Sequence, residues 1–259
     1  MGLPPEATPP QTTSLVARLF NVFAAPGDVF DEIRQQPVSM ANWIVPAVIL
    51  IVVSWLGTWI VFSQEPVRHQ FSEMVDKAVQ KQVESAHLSE QQAEQRREAG
   101  VKTGMIATVI GTVIGAVIMA FVTPFVWGLF LWLVGAKAMH AGFGYMKAVE
   151  AAGLCNMIDV LDGVLKTLLI VAMGNLYASP SLALFIKNFD PENMLHGLAA
   201  YVNVMGIWLL AVRAVALARL AQTSFAKAAA WVFGIWFAYS AFFIGLSLGI
   251  KALMKHAVH

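Results

Sequence analysis

The sequence predicts an all-α fold: a polytopic transmembrane helical bundle with about five spanning helices. Residues 103–136 contain no charged side chain between Lys102 and Lys137, and as a helix they would extend ~50 Å, beyond the ~30 Å hydrocarbon core of a bilayer. Hydrophobic residues make up 58% of the chain and charged residues only 13%, whereas soluble domains carry roughly 25% charge. The mean hydropathy of +0.66 agrees, so we expect a membrane protein.

The chain is expected to begin with a short tail. Residues 1–13 contain four prolines and few apolar side chains, a composition that favours disorder because it cannot bury enough surface to offset the entropy of ordering. The remainder, 14–259, is expected to form one membrane domain.

Two short amphipathic helices should precede the first span. Apolar residues recur at helical spacing from Leu15 to Phe23, behind Ser14 as N-cap. Pro26 and Gly27 interrupt this helix, and a second one follows. Such helices lie either in the membrane interface or against the protein's own loops, and both arrangements fit the pattern.

The first span is expected at about 41–62, and a different kind of segment follows it. Residues 64–102 contain six basic and seven acidic side chains, with a thin apolar stripe at four-residue spacing. Ser89 and Gln92 form a capping-box pattern that starts a new helix. These features predict a charged helical hairpin outside the membrane, which either is a solvated structural element or binds a partner or a second copy.

Two further spans carry small residues at four-residue spacing. The second span, 103–136, contains Gly111 and Gly115, and the fifth, at about 228–253, contains Gly245 and Gly249. Small residues at this spacing allow close helix packing in membranes, so we expect both pairs to be helix-packing positions. Pro124 in the second span would kink or break it.

The third and fourth spans, at about 149–177 and 195–217, contain charges where lipid would be expected. Asp159, Asp162, Lys166 and Arg213 form a candidate intramembrane polar cluster, and a charge at the centre of a spanning helix costs about 2.5 to 3.5 kcal/mol on insertion scales. They either form structural pairs that join the two spans or line a polar crevice that binds a lipid headgroup, an ion or a proton.

The positive-inside rule predicts the orientation. With the N-terminus inside, the short inner segments hold six basic residues and the short outer segments hold three. The inner residues are Arg18, Arg34, Lys137, Lys147, Arg219 and Lys227, and the outer ones are Lys187, Lys251 and Lys255. The N-terminus is therefore expected in the cytoplasm, with the hairpin on the outer face.

Several functions are disfavoured by the sequence. The net charge of +1 leaves no electrostatic footprint for nucleic acid, and Cys155 is the only cysteine, which excludes an intramolecular disulfide. The chain lacks a phosphate-binding glycine loop and a His-Glu-x-x-His motif. We therefore expect no catalytic, cofactor-binding or metal-binding residues.

The order of these features resembles a known family. Phe23, Pro26, Phe30, Ile33 and Pro37 precede the first span, the run Ser-Glu-Gln-Gln-Ala-Glu-Gln lies at 89–95, and Trp208, Arg213, Arg219, Thr223-Ser224 and Lys227 follow. With five spans over about 14–253, this pattern is similar to the bacterial branch of the Yip1-domain family. The resemblance implies a five-span protein, here of the bacterial inner membrane, with a cytoplasmic N-terminus. Eukaryotic members engage small GTPases, but their Asp-Leu-Tyr-Gly-Pro signature is absent here.

The expected function follows from this architecture. We expect a membrane scaffold or adaptor without catalytic activity, which binds lipids, other membrane proteins or a second copy of itself. The alternative is a transporter component in which the charged third span lines a route across the bilayer.

Overall fold

The computed structural model describes residues 13–86, 89–191 and 193–257, and most of this part of the chain is helical. The predicted disorder of the tail concerns residues that, apart from Thr13, lie outside the described part. The helices are α1 (Leu15–Ala24), α2 (Pro26–Gln35), α3 (Ala41–Ser63), α4 (Glu65–Ala86), α5 (Glu90–Leu133), α6 (Tyr145–Cys155), α7 (Met157–Met173), α8 (Met194–Tyr201), α9 (Val204–Leu220) and α10 (Phe225–Ala257). A π-helical turn, Val134–Ala138, extends α5, and a 3-10 helix lies at Leu182–Phe185.

Three of the described helices are long and apolar enough to cross a membrane. They cover Ala41–Ser63, Glu90–Ala138 and Phe225–Leu246, which correspond to the first, second and fifth predicted spans. Helix α5 has 44 residues and is therefore ~66 Å long. It continues through Pro124 without a break and joins the second span directly to the charged arm.

The predicted third and fourth spans are not single helices, which corrects the prediction from sequence. The third is divided into α6 and α7 at Asn156, and the fourth into α8 and α9 at Val202 and Asn203. The Asn203 side chain accepts hydrogen bonds from the backbone of Met205 and Gly206, and a side chain used in this way starts a helix instead of continuing one. Each of these two segments therefore consists of two shorter helices.

The charged hairpin has the predicted form. Helices α4 and α5 run side by side, and the capping box of Ser89 and Gln92 begins α5. Arg97 on α5 donates two hydrogen bonds to Asp76 on α4, at 2.7 and 2.6 Å. Pro66, at the start of α4, lies 3.3 Å from a Cβ placed on Gly174, where α7 ends in a left-handed residue. The α4–α5 arm therefore begins beside the C-terminal end of α7.

Helices α1 and α2 pack against the bundle instead of lying on lipid alone. Their apolar side chains share one buried cluster with α6, α7 and α9. The buried residues that they contribute are Leu19, Val22, Val29, Phe30 and Ile33. The opposite face of α1 leaves Val16 and Phe20 exposed. The structure thus packs α1 and α2 on helices of the bundle instead of on its loops, and the interfacial position of the exposed face of α1 stays a prediction.

Helix α6 lies at the centre of the bundle, and every residue from Lys147 to Cys155 is buried. Two glycines allow its neighbours to approach closely. A Cβ on Gly128 of α5 would lie 2.9 Å from the Cα of Val149, and a Cβ on Gly153 would overlap Trp43 of α3. Both crossings therefore require the absence of a side chain, and they place α6 between α3 and α5.

Candidate functional site

The two helix breaks are linked by polar side chains from α7 and α9. Arg213 of α9 is buried, and its Nη2 donates to Oδ1 of Asn156, the residue at the first break, at 3.4 Å. The same nitrogen lies 3.9 Å from Oδ2 of Asp159. The guanidinium also lies 4.1 Å above the ring of Trp127 on α5, a cation–π contact that partly offsets the loss of hydration.

The second break is joined to the same face of α7. Asn203 donates from Nδ2 to Oδ1 of Asp162 at 3.4 Å, while its own Oδ1 caps α9. Asp159 and Asp162 are three residues apart and so share one helical face. The structure thus brings Asp159, Asp162 and Arg213 to one interface, whereas Lys166 is exposed on α7 and forms no ion pair within the described part of the chain.

The burial of these groups is uneven, and this decides what the arrangement can do. The side chain of Arg213 is 5% exposed, but that of Asp159 is 35% exposed. Arg213 Nε and Asn156 Nδ2 are buried and have no hydrogen-bond partner among the described residues. A buried cation whose nearest carboxylate is 3.9 Å away is only partly compensated, so this interface has spare donors for an acceptor group or water.

A second polar network, which sequence reasoning missed, lies nearer the ends of α2 and α3. Lys147 and Glu150, both on α6, form an ion pair at 2.6 Å. Glu150 also accepts from Asn42 Nδ2 at 2.6 Å and from the Ser39 backbone at 3.3 Å. Glu150 and Asn42 are almost fully buried. The available signal was a Lys and a Glu three residues apart inside an otherwise apolar segment.

Lys147 also terminates α2. Its ammonium donates to the carbonyl oxygens of Ile33 at 2.7 Å and Gln36 at 3.0 Å, which lie at the C-terminal end of α2, where helix carbonyls lack most of their intrahelical partners. All three of its donors are therefore used, two at the end of α2 and one on Glu150. The network joins α2, the start of α3 and α6 into one unit.

A third cluster, which is partly buried, joins α1 to α2. Arg18 Nη2 donates to Glu32 at 3.0 Å and to Gln36 at 2.6 Å, and the hydroxyl of Thr13 also binds Glu32. Partial burial would raise the pKa of Glu32, but hydrogen bonds from Thr13, Arg18 and Gln36 outweigh it and lower that pKa below its usual value of 4.5. The cluster holds the two N-terminal helices in a fixed relation.

The four predicted packing glycines lie on faces that no other described part of the chain covers. A Cβ on Gly111, Gly115, Gly245 or Gly249 would meet no described atom within 4 Å. A helix that packs on these faces would come from outside the described part of the chain. Their role as helix-packing positions stays a prediction.

The fold and these sites define an all-helical membrane protein whose central helices are interrupted and joined by buried ion pairs. A comparison with protein families supports a more specific assignment, because the model of the Yip1 domain matches residues 20–247. The chain belongs to the Yip1-domain family. Neither a curated protein nor a solved structure matches it significantly.

Proposed function

We propose that this protein is a membrane scaffold or adaptor that binds other membrane proteins, lipids or a second copy of itself and has no catalytic activity. The observation that carries the proposal is the exposure of α5. Only 6% of its most apolar stretch is buried within the chain. Isoleucines at four-residue spacing line one side and are each more than half exposed, namely Ile106, Ile110, Ile114 and Ile118.

The small residues of α5 favour contact with another protein in addition to contact with lipid. Gly111 and Gly115 lie on the same helix as the isoleucine row and are open, and such positions let a second helix approach closely. Helix α10 has the same property, since 11% of its apolar stretch is buried and Gly234, Gly245 and Gly249 are open. Two of the three long spans thus offer their surface to neighbours.

The orientation belongs to the proposal as well. The end of the molecule formed by α1, α2, the start of α6 and the α9–α10 turn has more basic than acidic side chains. The basic ones are Arg18, Arg34, Lys137, Lys147, Arg219 and Lys227, and the acidic ones are Asp28, Asp31, Glu32 and Glu150. We place this end in the cytoplasm of a bacterial cell by the positive-inside rule, which puts the α4–α5 arm on the outer face of the inner membrane.

Site-specific photo-crosslinking in cells tests the scaffold proposal. A photoreactive residue at Ile114, which is exposed on α5, should give a discrete crosslinked product of higher mass. The matched control is Val117, one turn away on α5, which packs against the cluster of Ala47, Ile51 and Ala120. A product from both positions, or from neither, would contradict a specific partner on the isoleucine face.

A second candidate function, a transporter component, is favoured by one observation. Asp159 is partly exposed beside the buried Arg213, and both central segments are discontinuous, as in transporters whose sites lie between half-helices. Liposomes with a trapped pH indicator and an imposed pH gradient would test it. Faster proton flux with the wild type than with Asp159→Asn supports transport, and equal flux at equal protein content argues against it.

The same pair of residues separates transport from a purely structural role. Exchanging the charges, Asp159→Arg with Arg213→Asp, should restore stability lost in each single variant if the pair only joins α7 to α9. Thermal unfolding of the four proteins measures this coupling. A double variant no more stable than the worse single variant would contradict the structural role.

A further inference from the structure

A cavity of about 590 Å³ lies where α9 ends, α10 begins and α2 packs beside them. Arg219, Gln222, Thr223 and Asp31 form its polar side, and Val215 and Phe225 contribute apolar surface. Phe225 is also the first residue of the apolar stretch of α10 that is long enough to span a membrane. The cavity therefore lies at the beginning of a helix that has the length and composition of a membrane span, and its polar and apolar walls lie side by side.

The charges around this cavity are not balanced. Asp31 pairs with Arg219 at 3.0 Å, and Arg34 Nε lies 3.9 Å from the other oxygen of the same carboxylate. Arg34 Nε is buried, and no described residue forms a hydrogen bond with it. Lys227, in the first turn of α10, is exposed and has no ion pair within the described part of the chain. Arg219 and Arg34 thus share the single carboxylate of Asp31.

Arg219 has donors to spare. Its Nη1 binds Asp31, but a guanidinium carries five N–H groups, and the side chain is 51% exposed. The rest of the guanidinium lies over Gly27, where a Cβ would come within 2.9 Å of Nη2. The contacts with Asp31 and Gly27 orient the guanidinium of Arg219 and leave some of its N–H groups available to a ligand.

The turn between α9 and α10 supplies the other polar groups. Gln222 has a left-handed backbone with φ of 51°, and the amide of Thr223 donates to the carbonyl of Ala218 at 2.9 Å. This arrangement closes α9 and sets Gln222 and Thr223 into the cavity wall beside Arg219. A hydroxyl, an amide and a guanidinium thus line one small space.

We propose that this cavity binds the phosphate of an anionic phospholipid headgroup. The guanidinium fork matches two phosphate oxygens, Gln222 and Thr223 offer hydrogen bonds to the alcohol of the headgroup, and Phe225 leads the acyl chains onto the lipid-exposed side of α10. Asp31 disfavours a second negative charge nearby, which suits a phosphodiester. The inference rests on the proposed function, of which it names one ligand.

Lipid binding to the purified full-length protein in detergent tests the proposal. Native mass spectrometry would compare phosphatidylglycerol with phosphatidylcholine. Both lipids carry the phosphodiester, but choline places a cation near Arg219 and offers no hydroxyl to Gln222 or Thr223. The wild type should therefore bind phosphatidylglycerol about tenfold more tightly, which is roughly the contribution of one hydrogen-bonded charge contact. Arg219→Gln should lose the preference, and Arg219→Lys should retain part of it. The control Arg97→Gln removes the same charge on the α4–α5 arm and should leave the preference intact.

Two further measurements distinguish a lipid phosphate from a soluble phosphate and control for misfolding. Inorganic phosphate alone should bind far more weakly than phosphatidylglycerol, and equal binding would overturn the lipid assignment in favour of a soluble anion. Should Arg219→Gln lower the melting temperature, Thr223→Val at the same wall must weaken phosphatidylglycerol binding instead. A wild type without preference overturns the proposal. Because no partner protein is present, this result is independent of the crosslinking at Ile114.

Discussion

The buried pair of Lys147 and Glu150 gives the sharpest test of how this bundle is held together. Replacing Glu150 by Gln keeps the shape and a hydrogen-bond acceptor for Asn42 but removes the negative charge. Lys147 would then be a buried cation with two carbonyl partners, at 2.7 and 3.0 Å, and no counter-charge. Removing one partner of a buried ion pair typically costs 3–5 kcal/mol. Because the two carbonyls remain, we expect about 3 kcal/mol.

Equilibrium unfolding of the purified protein in detergent measures this loss for Glu150→Gln against the wild type. Lys137→Met is the matched control, since Lys137 is exposed at the same end of the bundle and its replacement should change the free energy of unfolding by less than ~0.5 kcal/mol. The double variant Lys147→Met with Glu150→Leu should recover part of the loss, because it leaves no buried charge. A loss below ~1 kcal/mol in Glu150→Gln would refute the argument that an uncompensated ammonium dominates the cost.

Three further predictions concern packing, pH and topology. Gly153→Ala should lower the free energy of unfolding by about 1–3 kcal/mol, because its Cβ would overlap Trp43, whereas Gly111→Ala should change it little in the same unfolding assay. Glu32 has a lowered pKa, so its contribution to stability is present above about pH 4.5 and is lost as the pH falls through the folded-state value. In Glu32→Gln, the melting temperature should therefore fall less steeply with decreasing pH in the acidic range. A cysteine at Ser89 should react with an impermeant maleimide in intact cells, and one at Ser14 should not, in a Cys155→Ser background.

Each of these predictions has a clear contrary result. Equal stability of the two glycine variants would mean that the α3–α6 crossing relaxes at no cost. If the melting temperature of Glu32→Gln depends on acidic pH as that of the wild type does, other carboxylates govern unfolding in this range. Labelling at Ser14 but not at Ser89 would invert the proposed orientation.

Local sequence patterns were enough to predict the class of protein and most of the long helices. Hydropathy is a property of a local window, and the spans at 41–62 and 103–136 contain no charge to obscure it. The capping box at Ser89 is equally local, because both of its partners lie within four residues. The order of such local features along the chain was also enough to indicate the Yip1-domain family, which the match over residues 20–247 shows.

Only the tertiary structure decided where the central segments break and which polar groups meet. Asn156 and Asn203 interrupt helices without a proline or glycine at either position, so local propensity gives little warning. Lys147 reaches carbonyls 111 and 114 residues away, and Arg213 reaches Asn156 across 57. The sequence alone predicts that a buried charge in a membrane protein has a partner. Which partner it has depends on how α2, α6, α7 and α9 pack, and that packing is a long-range property of the folded chain.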